Sequence, residues 1–401
     1  MPRWVGDERR ATDACAPKIL REIRADGLRG YARPDGSFIR HETMSDTCPR
    51  ADSMAGSDPR LSGSVRLLPF VVVVITIVST VGSVAFARGN PTLPGTNPAP
   101  LLSGLSAGVP SRITSCLVGG SPSQVAYDPL NHYLYVASGS SISIVSSPCH
   151  VVATIYRAGT YFDGVAYDPH TKSVLVSEAN SGQLFVVSGT SVIGSFGGSF
   201  CTPGPMAWDS AADAMLVVDY CGQIDAVFGT TSSATTSFGE CSPVAIAVAA
   251  TYVWVSNDCG APYSVDVFND STFLGVGAFS LPTAPSGLAW DPVNHTVLVG
   301  SLFTHWMYVL YPATVATHAF KNTTFPLGTL LGTGGVTYSP SSHFTYVTGR
   351  IGNYLWTVSS SGVVRHFDLG SGSDGMLMVY DPSNHYVYVC GSGTGRLYVV
   401  S

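Results

Sequence analysis

The sequence predicts an all-β protein: a seven-bladed β-propeller of four-stranded antiparallel blades, closed by an N-terminal strand and preceded by one transmembrane helix. Three observations lead to this prediction. A motif of an apolar residue, Ala, an aromatic residue, Asp and Pro returns, with variations, seven times between residues 125 and 382. Only 11% of the residues are charged, against roughly 25% in ordinary globular domains. A run of 21 uncharged residues lies between Arg66 and Arg88.

The N-terminal part carries no sign of a folded domain. Residues 1–66 contain 12 basic and 10 acidic side chains without apolar periodicity, and such a composition does not build a hydrophobic core. We therefore expect residues 1–66 to be a disordered cytoplasmic tail. The alternative is an over-long gene prediction, in which translation starts at Met54.

The uncharged run at residues 67–87 is long enough to cross a bilayer as a helix. Basic residues precede it, which favours a cytoplasmic N-terminus. The triplet Ala85-Phe86-Ala87 resembles a signal-peptidase site, so the segment is predicted to be a transmembrane helix, a signal anchor or a cleaved signal. Residues 88–111 are Pro-rich and predict an extended linker. In each case the C-terminal part is exported.

Seven repeats divide residues 112–401. Counted at the Asp position of the motif, they are separated by 40, 41, 40, 42, 48 and 42 residues. The fourth repeat is degenerate and has Ala249 at this position. Each repeat predicts four short strands, and a period of about 40–45 residues is typical of a propeller blade. In the first repeat we expect these strands at 124–127, 133–137, 142–145 and 151–155.

The two ends of the repeat region complement each other. The chain finishes at Leu397–Ser401, which is only the third strand of the seventh repeat. The segment Arg112–Val118 precedes the first repeat and can supply the missing fourth strand. Pairing of these two segments would close the ring and remove the exposed sheet edges, so we expect closure rather than an open array.

The first repeat contains Asp128-Pro-Leu-Asn-His-Tyr-Leu-Tyr-Val-Ala-Ser138, followed by Val151-Val-Ala-Thr-Ile155. With these motifs the region 112–401 resembles the YVTN-type β-propeller repeat. The resemblance implies a secreted or cell-surface propeller, often associated with prokaryotic surface layers, and it implies no particular chemistry. Ser138 and Cys390 depart from the family, which has Asn after the Tyr-Val strand.

Seven cysteines follow the uncharged run. Cys201 and Cys221 flank the first two strands of the third repeat, and Cys241 and Cys259 flank those of the fourth. We predict one disulfide within each of these blades, as expected in an exported protein. The alternative is a four-cysteine zinc site, although no C-x-x-C motif supports it. At least one of the remaining three must be free or pair outside the chain: Cys116, Cys149 and Cys390.

Four histidines recur four residues after the motif Asp: His132, His295, His343 and His385. We interpret the Asp-Pro-x-Asn-His segment as a turn with Asn in a left-handed conformation. These histidines are spread around the ring, so we expect no metal site and no cofactor. Three N-glycosylation sequons lie on the exported side, at Asn269, Asn294 and Asn322.

One set of polar residues shares the face formed by the loops that enter the first strand and leave the second strand of each blade. In propellers, ligands usually bind such a face around the central channel. We take this set as candidates for binding a cation, a sugar or another ligand, the alternative being ordinary solvated loop ends: Asp163, Glu178, Asp219, Asp258, Arg350 and Asp374.

The function predicted from these features is that of a non-enzymatic, membrane-anchored recognition module for a protein or glycan at the cell surface. The alternative is a propeller hydrolase or lyase, similar to lactonases or streptogramin lyases, with its chemistry on the same face. Residues 88–401 carry 8 basic and 16 acidic side chains, so nucleic acid is excluded as a partner. A hydrogen bond from His305, Asp374 or Glu178 to a second titratable group at the channel mouth would strongly favour the enzyme interpretation.

Overall fold

The structure is a computed structural model that describes most of the propeller and eight N-terminal residues. The predicted membrane segment 67–87 and most of the linker 88–111 lie outside the described residues. Within the described residues, no helix is long and apolar enough to span a membrane. The described ranges are 21–22, 30–32, 38–40, 110–197, 200–237, 242–249, 251–258, 260, 262–312, 325–327, 331–359 and 362–401.

Three short N-terminal strands form a small antiparallel sheet in chain order: β1 (Arg21–Glu22), β2 (Gly30–Ala32) and β3 (Phe38–Arg40). Its register pairs Tyr31 with Ile39, two residue types that favour strands. These eight residues leave the predicted disordered tail untested. The rest of residues 1–66 lies outside the described residues.

Seven four-stranded antiparallel sheets make up the region from residue 110 onward, which confirms the predicted seven-bladed propeller. In each of blades 1 to 4 the four strands are consecutive in the sequence. Their strands are β5 (Pro122–Asp128), β6 (Tyr133–Ser138), β7 (Ser141–Ser146), β8 (His150–Tyr156); β9 (Phe162–Asp168), β10 (Ser173–Glu178), β11 (Gln183–Ser188), β12 (Ser191–Gly197); β13 (Pro203–Asp209), β14 (Ala214–Asp219), β15 (Gln223–Phe228), β16 (Thr231–Ser237); β17 (Ser242–Ala249), β18 (Tyr252–Asp258), β19 (Tyr263–Asn269) and β20 (Gly275–Leu281).

Blades 5 and 6 repeat the arrangement, and blade 7 combines the last three strands with the strand that precedes blade 1. Their strands are β21 (Pro285–Asp291), β22 (Thr296–Ser301), β23 (Trp306–Leu310), β24 (Phe325–Pro326); β25 (Leu331–Ser339), β26 (Phe344–Ile351), β27 (Tyr354–Ser359), β28 (Gly362–Asp368); β29 (Gly375–Asp381), β30 (Tyr386–Gly391), β31 (Arg396–Val400) and β4 (Ile113–Leu117).

The first strands of the blades contact one another in cyclic succession, and β29 of blade 7 contacts β5 of blade 1. In blade 7, β4 pairs with β31 in a register that joins Ile113 to Val400 and Leu117 to Arg396. The pairing continues past the strand ends, because the Ser111 amide donates to the Ser401 carbonyl over 2.9 Å. The outer strand of the last blade therefore comes from the N-terminal side of the propeller.

This strand order divides the loops between two faces. The loop face contains the loops between second and third strands and the loops that enter each first strand. The turn face contains the turns between first and second strands and between third and fourth strands. Both definitions follow from the antiparallel order of each blade.

The motif Asp organises the turn between the first and second strands. The buried Asp128 carboxylate accepts the Leu130 amide at 2.8 Å, and the Asp128 carbonyl accepts the His132 amide at 3.0 Å. The left-handed residue is His132, with φ of 61°, and not the predicted Asn131. Asn131 instead accepts the Tyr133 amide through its side chain at 2.8 Å. His295, His343 and His385 adopt the same left-handed conformation.

Near the loop face, the pairing between first and second strands shifts register in all seven blades, as at a β-bulge. In blade 2 the Ser177 hydroxyl accepts the Gly164 amide at 2.7 Å and donates to the Gly204 carbonyl of blade 3 at 3.0 Å. Thr348 connects blades 6 and 7 in the same way. These bonds hold the inner strands in place at the loop-face end of the channel.

Candidate functional site

Topology places all six predicted residues at the loop face. Glu178, Asp219 and Asp258 end the second strands of blades 2, 3 and 4. The other three lie on blades 2, 6 and 7: Asp163 near the start of β9, Arg350 at the end of β26 and Asp374 directly before β29. The face was thus predicted correctly, and the contacts of each residue decide its role.

Glu178 is a structural residue of the loop that follows β10. Only 1% of its surface is exposed. One carboxylate oxygen accepts the Tyr161 amide at 2.7 Å and the Asn180 amide at 3.1 Å, and the other accepts the Ser181 amide and hydroxyl. Because both carboxylate oxygens accept hydrogen bonds from the chain, Glu178 holds two loops together and is not available to a ligand.

Asp219 plays the same part in blade 3. It is fully buried, and its carboxylate accepts the backbone amides of Cys201 at 2.7 Å, Thr202 at 2.9 Å and Cys221 at 3.1 Å. Such hydrogen bonds stabilise a buried carboxylate. Asp219 therefore positions the loop that carries the adjacent disulfide.

Asp258 and Asp374 stay apart from this network. Asp258 is half-buried and Asp374 is exposed. Asp374 has a left-handed φ of 43°, and its carbonyl accepts the Ser392 amide at 3.2 Å. Among the described residues, the structure brings neither of them into hydrogen-bonding contact with another of the six candidates.

Asp163 belongs to a group of side chains that meet at the loop-face mouth of the channel. The Tyr220 hydroxyl of blade 3 donates to Asp163 Oδ2 of blade 2 over 2.7 Å. The Tyr220 ring lies against Gly204 of the inner strand β13, where a Cβ would meet it at 2.6 Å. Tyr161 and Arg350 lie within electrostatic range of the Tyr220 hydroxyl. We call Tyr161, Asp163, Tyr220 and Arg350 the mouth patch.

The mouth patch spans the ring, because blades 3 and 6 lie three positions apart in a circle of seven. Burial raises the pKa of Tyr220 well above its usual value, and the charge and hydrogen bond of Asp163 raise it further, whereas Arg350 lowers it. Burial also raises the pKa of Asp163, against the opposing hydrogen bonds from Tyr220 and Ser123. Arg350 itself is exposed.

The sequence analysis missed both tyrosines of the mouth patch. It considered only charged groups and histidines on the loop face. A signal was present nonetheless: Tyr220 directly follows Asp219, and Tyr161 lies two residues before Asp163. An aromatic residue at the loop-face end of a strand is able to reach the channel mouth as readily as a charged one.

Below the mouth, a cavity of about 290 Å³ runs between the inner strands. Most of its lining residues are of apolar types, and the neutral polar side chains among them include Gln124, Thr337 and Tyr338. The lining residues include no charged side chain. Charge at this end of the channel is therefore concentrated at the mouth.

The described cysteines agree with the prediction, in which at least one of Cys116, Cys149 and Cys390 was expected to stay unpaired within the chain. Cys201 and Cys221 form the predicted disulfide, whereas Cys241 and Cys259 lie outside the described residues. A second disulfide joins Cys116 to Cys149, and Cys390 is free and buried. Cys201, Asp219 and Cys221 approach one another as metal ligands would. The two sulfurs are bonded to each other, however, and a metal requires thiolates.

Among the described residues, no hydrogen bond or ion pair joins Glu178, His305 or Asp374 to a second titratable group. Glu178 binds backbone amides and Ser181. The His305 ring contacts Trp306, with centroids 4.8 Å apart. The titratable pair at the mouth is instead Asp163 and Tyr220.

Two of the three sequons lie in the described residues. Asn269 ends β19 at the turn face and accepts the Ser271 and Thr272 hydroxyls through its side chain. Asn294 is exposed in the first turn of blade 5. Asn322 lies outside the described residues. Glycosylation at all three stays a prediction.

No family model and no curated protein matches the chain. Solved structures do match. Virginiamycin B lyase from Staphylococcus aureus has a TM-score of 0.61 at 8% identity, covering 72% of this chain and 99% of that one. The Cps50 (Swd1) β-propeller domain of Myceliophteria thermophila has a TM-score of 0.57 at 10% identity, covering 72% and 99%.

A chain of a mitotic checkpoint complex has a TM-score of 0.60 at 14% identity, covering 79% of this chain and 98% of that one. At identities this low, such likeness establishes the fold and carries no activity with it. The chain is thus a seven-bladed propeller similar to proteins of several different functions.

Proposed function

We propose that this chain is an exported, membrane-anchored propeller that binds a protein partner at the cell surface through the mouth patch. The observation that carries the proposal is the hydrogen bond from Tyr220 to Asp163, which joins blades 2 and 3 at the mouth. Topology places the exposed Arg350 of blade 6 on the same face, and its charge lowers the pKa of Tyr220. Tyr and Arg are the residue types most enriched among the energetically dominant residues of protein interfaces.

Export is supported by the disulfides. Cys116–Cys149 and Cys201–Cys221 belong to the oxidising compartments where disulfides persist. Residues 67–87 supply the anchor in this proposal, and cleavage after Ala87 would give a secreted form instead.

Binding fits the contacts of the mouth better than catalysis. Glu178 and Asp219, the most buried acidic groups of this face, are committed to backbone amides. Asp163 already accepts a hydrogen bond from Tyr220. The open positions are the exposed Arg350 and the half-buried ring of Tyr161, which can contact a partner without any proton transfer.

Site-specific photo-crosslinking tests the proposal. A photoreactive residue replaces Ile351, which is 56% exposed beside Arg350 on the loop face, or Leu130, which is 60% exposed on the turn face. Irradiation of cells that express the full chain should give a defined protein adduct from position 351 and none from position 130. Arg350→Ala and Tyr220→Phe should each weaken that adduct. Equal adducts at both positions, or an adduct at position 130 alone, would overturn the proposal. A glycan adduct would make the partner a glycan.

A propeller hydrolase or lyase remains the second candidate, and the Asp163–Tyr220 pair is the observation that favours it. The pair places a phenol hydroxyl and a carboxylate at one opening, and general acid–base catalysis needs such proton-exchanging groups within hydrogen-bonding reach. Turnover of a macrocyclic lactone by the purified chain, abolished by Tyr220→Phe, would replace the binding proposal with this one.

A further inference from the structure

The second strand of each blade presents one large side chain to the next blade, two positions in from the turn. In blade 1 this residue is Tyr135, which is fully buried. Its hydroxyl donates to the Gly189 carbonyl of blade 2 at 2.8 Å and accepts the Asn131 side-chain amide at 2.8 Å. A phenol ring thus fills the space between an Asn of its own turn and the outer turn of the next blade.

Blade 7 repeats this arrangement with Tyr388. Its hydroxyl accepts the Asn384 amide at 2.9 Å and lies 3.4 Å from the Ser147 hydroxyl of blade 1. The ring is fully buried. Two blade junctions of this propeller therefore contain a phenol beside an Asn of the first turn. Blade 6 places a third buried tyrosine, Tyr346, at the same register position, with Ser342 where blades 1 and 7 have Asn.

In blade 5 a leucine stands where blades 1 and 7 have the phenol, and the Asn of the first turn, Asn294, donates its side-chain amide to Asp291 Oδ2 at 2.6 Å. The strand register makes Leu298, paired with Ala289, equivalent to Tyr135, which is paired with Ala126. Asn294 stands three residues after the motif Asp, as Asn131 does in blade 1. Leucine lacks the ring and the hydroxyl that tyrosine supplies at this position.

A cavity of about 170 Å³ lies at this junction between blades 5 and 6. Its floor contains Leu298, Met307, Val309 and Val358, none more than 5% exposed. Asn294 and His343 line its rim and are exposed on the turn face. The cavity combines an apolar interior with a polar opening to the surface.

A leucine at this position does not by itself create a cavity. In blade 3 the equivalent residue is Leu216, which belongs to a cluster completed by Phe268 and Phe273 of blade 4. In blade 2, Leu175 belongs to a cluster with Phe196 and Phe200. Phenylalanines belong to the cores of those two junctions. The apolar lining between blades 5 and 6 consists of leucine, methionine and valine, with Tyr311 at its edge.

We propose that this cavity binds a small phenol-class molecule, a single aromatic ring with one hydroxyl group. The ligand takes the place that tyrosine side chains occupy at three other junctions of the same ring, with its hydroxyl at the rim beside Asn294. The size agrees, because an apolar cavity of about 150 Å³ accommodates a benzene-sized molecule. The site lies on the turn face, so it stands independently of the proposed function.

The test uses phenol itself and the full chain labelled with ¹³C at the methionine methyl groups. Met307 lines the cavity, and Met215 of blade 3 is an equally buried control. Phenol should shift the Met307 resonance saturably, with a Kd on the order of 1 mM, and leave Met215 unchanged. Benzene should bind about five-fold more weakly, because it lacks the hydroxyl.

Leu298→Tyr supplies the missing phenol from the chain itself, so it should abolish the phenol-induced shift and raise Tm. Leu216→Tyr is the matched control and should lower Tm, because phenylalanines occupy that space. A Met307 resonance that does not respond to phenol would overturn the proposal and leave an empty packing defect. Unchanged phenol binding by a folded Leu298→Tyr variant would overturn it as well. Should that variant fail to fold, equal affinities for phenol and benzene in the unsubstituted chain would contradict the proposed hydroxyl recognition.

Discussion

The Cys116–Cys149 disulfide should restrain the strand that closes the ring. Cys116 lies in β4 of blade 7, and Cys149 lies in the turn before β8 of blade 1. The bond therefore ties the closing strand β4 to blade 1, whereas the closure itself is the pairing of β4 with β31. β4 is held otherwise by its five residue pairs with β31 and by short flanking contacts. A strand with so few pairs is a candidate for local opening, because opening free energies vary across a structure.

The size of the effect follows from the 33 residues between the two cysteines. The chain-entropy relation gives about 3.7 kcal/mol of stabilisation at 25 °C for a loop of this length. For the 20-residue separation of Cys201 and Cys221, the same relation gives about 3.3 kcal/mol. The two disulfides should therefore contribute about equally to the global stability of the protein. Their removal should affect different parts of the structure.

The assay compares Cys116→Ala/Cys149→Ala with Cys201→Ala/Cys221→Ala in the full chain. Guanidinium unfolding should show a comparable loss in both variants. Hydrogen exchange should become faster in β4 and β31 only in the first variant, because only that disulfide restrains the closing strand. Unchanged hydrogen exchange in β4 after removal of Cys116–Cys149 would refute the restraint of β4 by this disulfide, whatever the change in global stability.

Three further substitutions test the packing. Burial raises the pKa of Asp225 to about 6 from an ordinary 3.8. The stability of the folded protein therefore falls as the pH rises between these two values, because the buried carboxyl must then ionise. Asp225→Asn should therefore stabilise the protein at about pH 8, by up to about 3 kcal/mol, and not below about pH 4, in urea melts at both pH values. Gly164→Ala should lower Tm strongly, since its Cβ would meet a carbonyl oxygen of blade 3 at 2.0 Å, whereas Gly194→Ala, with open space around it, should not. Tyr388→Phe should cost about 1 kcal/mol in guanidinium unfolding, because it removes one of the two hydrogen-bond partners of the Asn384 amide, the other being the Ser147 hydroxyl.

The repeat architecture could be predicted because each blade carries its own copy of the signal. The motif Asp, the turn and the strand that follows lie within about a dozen residues, so local spacing reveals them. The predicted Cys201–Cys221 pair likewise needed only the order of strands within one blade. Its fourth-blade counterpart, Cys241 and Cys259, lies outside the described residues.

The parts that could not be predicted depend on contacts between blades or on atomic detail. Cys116 and Cys149 meet only after the ring has closed, and no spacing within one repeat indicates this. Glu178 and Asp219 were placed on the correct face, but their burial and backbone partners appear only in three dimensions. Tyr220 reaches Asp163 of the preceding blade, a distance that depends on how neighbouring blades are inclined. The left-handed His132 was missed because the Asn131 side chain takes over a turn hydrogen bond.

The pKa of Tyr220 is the most direct test of the claim that three blades build one mouth. It can be followed by ¹³Cζ-tyrosine NMR of the full chain, with Tyr220→Phe to assign the resonance. The geometry predicts that this phenol stays protonated at pH values where exposed tyrosines titrate, near 10. It also predicts that Asp163→Asn lowers the Tyr220 pKa and that Arg350→Ala raises it. A Tyr220 that titrates with the exposed tyrosines and responds to neither substitution would contradict the account.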